Sequence, residues 1–103
     1  MYKVHNFYIT LLYNLNIILK INLSKEKNID YNEQSKITRT IIKAAVLMLE
    51  FGAESILIEQ TAQRLGKALG VDSVEISLIP SAIVLTTLYE GHSATTTRRV
   101  HHK

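Results

Sequence analysis

At 103 residues the chain has room for one small domain. It contains no cysteine, which excludes a disulfide scaffold and thiolate-ligated zinc. Its 12 basic and 9 acidic residues leave a mild charge of +3, scattered rather than gathered into the basic stripe of a nucleic-acid protein.

Composition changes sharply along the chain. All six Asn and four of the five Tyr lie in residues 1–32, and from Glu33 onward Ala, Thr and Gly become common. The break predicts an N-terminal extension over 1–32, membrane-associated or disordered, and a folded domain over 33–103. Within the extension, Phe7 to Leu23 is mostly apolar. Asn14, Asn16, Lys20 and Asn22 interrupt it, whereas a membrane span needs about 20 apolar residues with few polar ones. The small residues of a signal-peptide cleavage site are missing, apart from Ser24. Leu15, Ile17, Leu19, Ile21 and Leu23 alternate with mostly polar residues, which is a strand-like pattern. A poorly constrained extension, a membrane anchor and a strand all remain open here.

The second segment has clear periodicity. Ile37, Ile41, Ala44, Met48 and Phe51 recur at steps of four and three, widened by Leu47, which predicts an amphipathic helix ending at Gly52. Ser55 is the expected N-cap of a second helix, with Glu54 beside the positive end of its dipole. Ile58, Ala62, Leu65 and Leu69 form its buried stripe. Gln60, Gln63, Arg64 and Lys67 face outward, and Gly70 closes it. Gly66, unfavourable inside a helix by up to about 1 kcal/mol, is expected to mark a close contact.

After Gly70 the period becomes two. Val74, Ile76 and Leu78 alternate with Glu75 and Ser77, predicting a half-buried strand that ends at Pro80-Ser81. Ala82 to Tyr89 is rich in β-formers and reads as the central strand. Glu90-Gly91 is a turn, and Ser93 to Val100 a third strand. The predicted fold class is α+β: an αα-hairpin on one face of a small, mostly antiparallel three-stranded sheet, in the order α-α-β-β-β, forming an incomplete domain.

From about Thr40 to Val100 the chain resembles the N-terminal domain of the threonine/serine exporter family of bacterial inner-membrane proteins. Within that family it is most similar to the larger component of two-component succinate exporters. The residues that carry this are Gly52-Ala53-Glu54-Ser55, Arg64-Leu65-Gly66, Ala68-Leu69-Gly70, Asp72-Ser73-Val74-Glu75, Ala82 through Thr87, and Thr95 through Arg98. The resemblance implies a cytoplasmic domain at the inner membrane that exports small carboxylates or amino acids together with a small second membrane subunit. In the family the domain continues into membrane-spanning helices, whereas no apolar run after Thr40 is long enough to cross a bilayer. The expectation is a truncated member that does not transport alone. It would reach the membrane through the missing C-terminal part or the N-terminal apolar segment, and would self-associate.

Chemistry-bearing groups are sparse. Glu54, Glu59 and Arg98 are the candidate substrate contacts: two carboxylates near a helix start, and a guanidinium able to fork onto a carboxylate. Glu54 and Glu59, five apart, lie off one another's helical face, and acids at that position ordinarily serve the dipole. Arg98 and Arg99 on a strand are ordinarily solvated. His92, His101 and His102 lack a carboxylate or thiol partner at ligand spacing, so no metal is expected, and no cofactor loop is evident. Neither is a nucleophile–base set, so the chain is not expected to be an enzyme. The competing readings are a small protein-interaction module and a helix-turn-helix over Gln60 to Val71. The latter needs a second, recognition helix after the turn, so a helix over residues 74–79 would support it and a strand would exclude it.

Overall fold

The computed structural model describes residues 9–12, 14 and 29–100. Most of the expectations for residues 1–28, and those for His101 and His102, lie outside the described residues. Residues 9–12 and 14 are helical. The folded elements are α1 (Tyr31–Glu50), α2 (Ser55–Leu69), β1 (Ser73–Ile79), β2 (Ala82–Tyr89) and β3 (His92–Arg99). The sheet is antiparallel in the order β1-β2-β3, with α1 packed over β2 and β3 and α2 over β1. This is the α+β layering expected from the change of period after Gly70. Because residues 74–79 form a strand, no second helix follows α2, and the helix-turn-helix reading falls.

Register sorts the side chains. Val74 pairs with Thr87, Ile76 with Leu85 and Leu78 with Ile83; Thr87, Leu85 and Ile83 in turn pair with Ala94, Thr96 and Arg98. Partners opposite one another share a face, so this set faces the helices. Ile83 and Leu85 are wholly buried there against Ile41, Ile42 and Ile58. Each such side chain contributes about 1.5–3 kcal/mol by leaving water. Leu11 and Ile29, from before α1, are partly buried against the same core.

The stripe of α2 is as predicted: Ile58, Ala62, Leu65 and Leu69 are buried. That of α1 is turned relative to the prediction. Ile37, Ile41 and Met48 are buried, but Ile42 and Ala45 join them, while Ala44 is half-buried and Leu47 and Phe51 are exposed. The cause is Gln34 and Thr38, which are polar yet buried, and which a purely apolar pattern cannot place on the inner face.

Helix ends are closed locally. The Gly52 and Gly70 amides follow the last turns at φ 85° and 104°, where a Cβ would be strained. There Ala53 N–H donates to the Met48 carbonyl at 2.9 Å and Val71 N–H to the Gly66 carbonyl at 3.0 Å. The start of α2 differs from expectation. Glu54, not Ser55, is the N-cap, it makes no side-chain cap bond, and Ser55 is the first helical residue. At α1 the Asp30 Oδ1 accepts from Glu33 N–H at 2.8 Å. Asp30→Ala should therefore cost about 1 kcal/mol in urea unfolding, and Asp30→Ser much less. Equal costs for the two would show that the cap contributes nothing.

Candidate functional site

The polar interior of the domain lies where α1 begins and the β2–β3 hairpin turns. Gln34, one turn into α1, is 2% exposed, and its Nε2 donates toward the Thr87 carbonyl (3.2 Å), the Thr87 Oγ1 (3.3 Å) and the His92 carbonyl (3.0 Å). Three oxygens around one nitrogen fix the orientation of the amide. Thr38 Oγ1 donates to the Gln34 carbonyl at 2.7 Å and lies 2.7 Å from Thr87 Oγ1. A hydroxyl carries one proton, so the Thr38 proton is committed to Gln34 and Thr87 must donate to Thr38. The bonds thus close a directed ring: Gln34 amide to Thr87, Thr87 to Thr38, Thr38 to the Gln34 carbonyl. No buried side-chain nitrogen or oxygen among the described residues is left without a partner.

The hairpin above this ring is tightly held. Glu90 and Gly91 have φ of 48° and 81°, the left-handed pair of a type I′ turn. Asp72 Oδ2 accepts from the Glu90 N–H at 2.8 Å, and the Asp72 N–H donates to the Leu88 carbonyl at 2.8 Å. Between this turn and the α1 start lies a cleft of about 260 Å³ lined by Ile29, Asp30, Tyr31, Gln34, Tyr89, Glu90 and His92. Two aromatic rings and two carboxylates suit a cationic or hydrogen-bond-donating group. They oppose a dicarboxylate, which would face Asp30 and Glu90 at short range.

The predicted contact residues lie elsewhere. Glu54, the N-cap of α2, and Glu59, in its first half, are both exposed, and α2 packs over β1. Arg98 is exposed on β3, with β2 between. Two strand spacings, about 10 Å, separate the β1 and β3 edges, so the fold does not gather these three residues into one pocket. His92 lines the cleft, but no group of three metal-ligating side chains occurs among the described residues. The sequence reading missed Gln34, Thr38 and Thr87. Their one visible signal is that Gln34, Thr38 and Ile41 share a helix face at steps of four and three.

A family model described as "Putative threonine/serine exporter" matches residues 39–103. A protein of Klebsiella aerogenes named "Probable succinate transporter subunit YjjP" is 49% identical over 70 residues, covering 68% of this chain and 27% of that protein. Its namesake in Escherichia coli strain K12 is 46% identical over 69 residues, covering 67% and 27%. An uncharacterized protein of Haemophilus influenzae is 49% identical over 70 residues, covering 68% and 24%. The chain therefore spans about a quarter of the length of the curated relatives it matches. No solved structure matches it.

Proposed function

Because this chain belongs to the threonine/serine exporter family, we propose that it forms the cytoplasmic α+β domain of a bacterial inner-membrane exporter of small carboxylates or amino acids, of the succinate or threonine/serine type. The observation that carries this reading is the match of residues 39–103, which takes in α2, the whole sheet and most of α1. Two relatives named as succinate transporter subunits align over a stretch of similar length. The word subunit supports a partner, and the proposed one is a small second membrane protein of the exporter.

On this reading the domain acts through contacts with its partners rather than by catalysis. No helix among the described residues is long and apolar enough to cross a membrane, and this reading gives the domain no solute path of its own. Solute passage then belongs to membrane-embedded parts of the assembly. The exposed Glu54, Glu59 and Arg98 act, on this reading, as separate contacts to a partner surface or to solute near the mouth of that path. The carboxylate-lined cleft at the start of α1 does not hold the exported anion.

A domain exchange tests the proposal. The matching segment of the E. coli relative is replaced by residues 34–103 of this chain, in a strain lacking the native subunit. The chimera should restore succinate export to within about threefold of the parent, while the 103-residue chain alone should give none. A chimera that reaches the membrane in normal amount yet exports nothing would refute the equivalence of the two domains.

A further inference from the structure

Strand β3 has one edge bonded to β2 and one edge without a strand partner among the described residues. The two-residue Glu90-Gly91 loop makes Tyr89 and His92 a mutually hydrogen-bonded pair. Pairs alternate along an antiparallel ladder, so His92, Ala94, Thr96 and Arg98 aim their N–H and C=O groups at β2. Ser93, Thr95, Thr97 and Arg99 aim theirs outward. The run has no proline, no bulge and no positive φ after Gly91. The opposite edge is less open, because the Gln63 side-chain amide, reaching from α2, donates to the Val74 carbonyl on β1.

We propose that β3 pairs antiparallel with β3 of a second copy of this chain, about a two-fold axis through Thr96, joining two three-stranded sheets into one of six strands. Strand length and charge select this arrangement. With the axis at Thr96, all four outward residues find outward partners: Ser93 meets Arg99 of the second copy, and Thr95 meets Thr97, each twice. Moving the axis by one residue either way leaves an outward residue of each copy beyond the end of the other strand. Both arginines then face small residues, Arg98 opposite Ala94 and Arg99 opposite Ser93. The two Arg99 side chains stand six positions apart, about 20 Å, beyond the screening length of roughly 8–10 Å in physiological salt. The middle of the interface is a threonine ladder that extends one already present, where Thr86 Oγ1 and Thr95 Oγ1 lie 2.7 Å apart. The pairing follows from strand geometry and is independent of the export reading.

The test uses the whole chain, whose lack of cysteine makes any introduced thiol unique. At tens of micromolar the chain should sediment at twice its 11.7 kDa mass. Thr96→Cys places two thiols on the axis in a non-hydrogen-bonded pair, whose Cβ atoms approach to about 4.5–5.5 Å, and mild oxidation should link more than half of the chains. Ser93→Cys holds its two thiols about 20 Å apart and should link at least fivefold less. Thr97→Pro removes an N–H that only the second copy uses, a change that edge strands tolerate. It should give a monomer with unaltered circular dichroism. A monomeric parent chain, equal cross-linking at positions 93 and 96, or a folded Thr97→Pro dimer would each overturn the proposal. If Thr97→Pro does not fold, the cysteine pair decides by itself.

Discussion

Gly66→Ala is expected to destabilise the domain by about 2 kcal/mol, even though alanine is the better helix former by up to about 1 kcal/mol. A Cβ at this position would lie 2.3 Å from Val74 Cγ2 and 3.1 Å from Val71 Cγ2. Val74 has nowhere to go. It is 1% exposed, branched at Cβ, and held in register opposite Thr87. The helix would have to lift from β1, opening the contact that seats α2 on the sheet. A domain of about 70 residues has a total stability of roughly 4–10 kcal/mol, so the loss is a large fraction of it. Urea unfolding should show a lower midpoint with an unchanged slope. Shortening the opposing side chain checks the cause: Gly66→Ala combined with Val74→Ala should be more stable than the sum of the single effects by about 1 kcal/mol. Strict additivity, or a Gly66→Ala variant more stable than the parent, would rule out the clash.

Gln34→Met should cost about 2 kcal/mol, although the two side chains have nearly the same length and shape. The amide of Gln34 is the head of the buried ring, and its loss takes a donor from Thr87 Oγ1 and from the His92 carbonyl. It also unties the start of α1 from the β2–β3 hairpin, contacts that join residues 53 and 58 positions apart. Removing the entire ring should be less harmful than breaking it. The triple variant Gln34→Met, Thr38→Val, Thr87→Val should be more stable than its three single costs imply, by about 1 kcal/mol or more, because no polar side chain of the ring is left with its partner removed. Thermal or urea unfolding of the four variants decides the matter, and simple additivity would show that the ring is not cooperative.

These two sites differ in how far the sequence reveals them. Gly66 is conspicuous as a glycine inside a strong helical pattern, so a close contact could be expected there, although the partner, Val74, could not be named. Gln34 and Thr38 carry no such mark, because a polar residue on a helix reads as solvent-facing unless its bonding partners are known. Those partners, Thr87 and His92, lie on strands formed some fifty residues later. The same blindness turned the predicted face of α1 toward Leu47 and Phe51, which are exposed, and away from Ile42 and Ala45. It also left Asp30 unread as the cap of α1, although its spacing from Glu33 is that of a helix start. For the predicted contacts Glu54, Glu59 and Arg98, the sequence offered charge but no geometry, and the fold sets Arg98 on β3, apart from the two carboxylates at the start of α2.

The order α-α-β-β-β, the strand limits at Pro80-Ser81 and Glu90-Gly91, the buried stripe of α2 and the glycine helix ends were written in the sequence alone. They depend on near neighbours: the switch from a period of 3.6 to one of 2, the conformations that glycine and proline favour, and the residues that tight turns require. The family, too, was legible from the run between Thr40 and Val100. Only the tertiary structure decided which polar side chains are interior and which charges lie apart. Those properties arise from groups distant in the chain meeting in space, where a hydrogen bond made or missed outweighs any local preference.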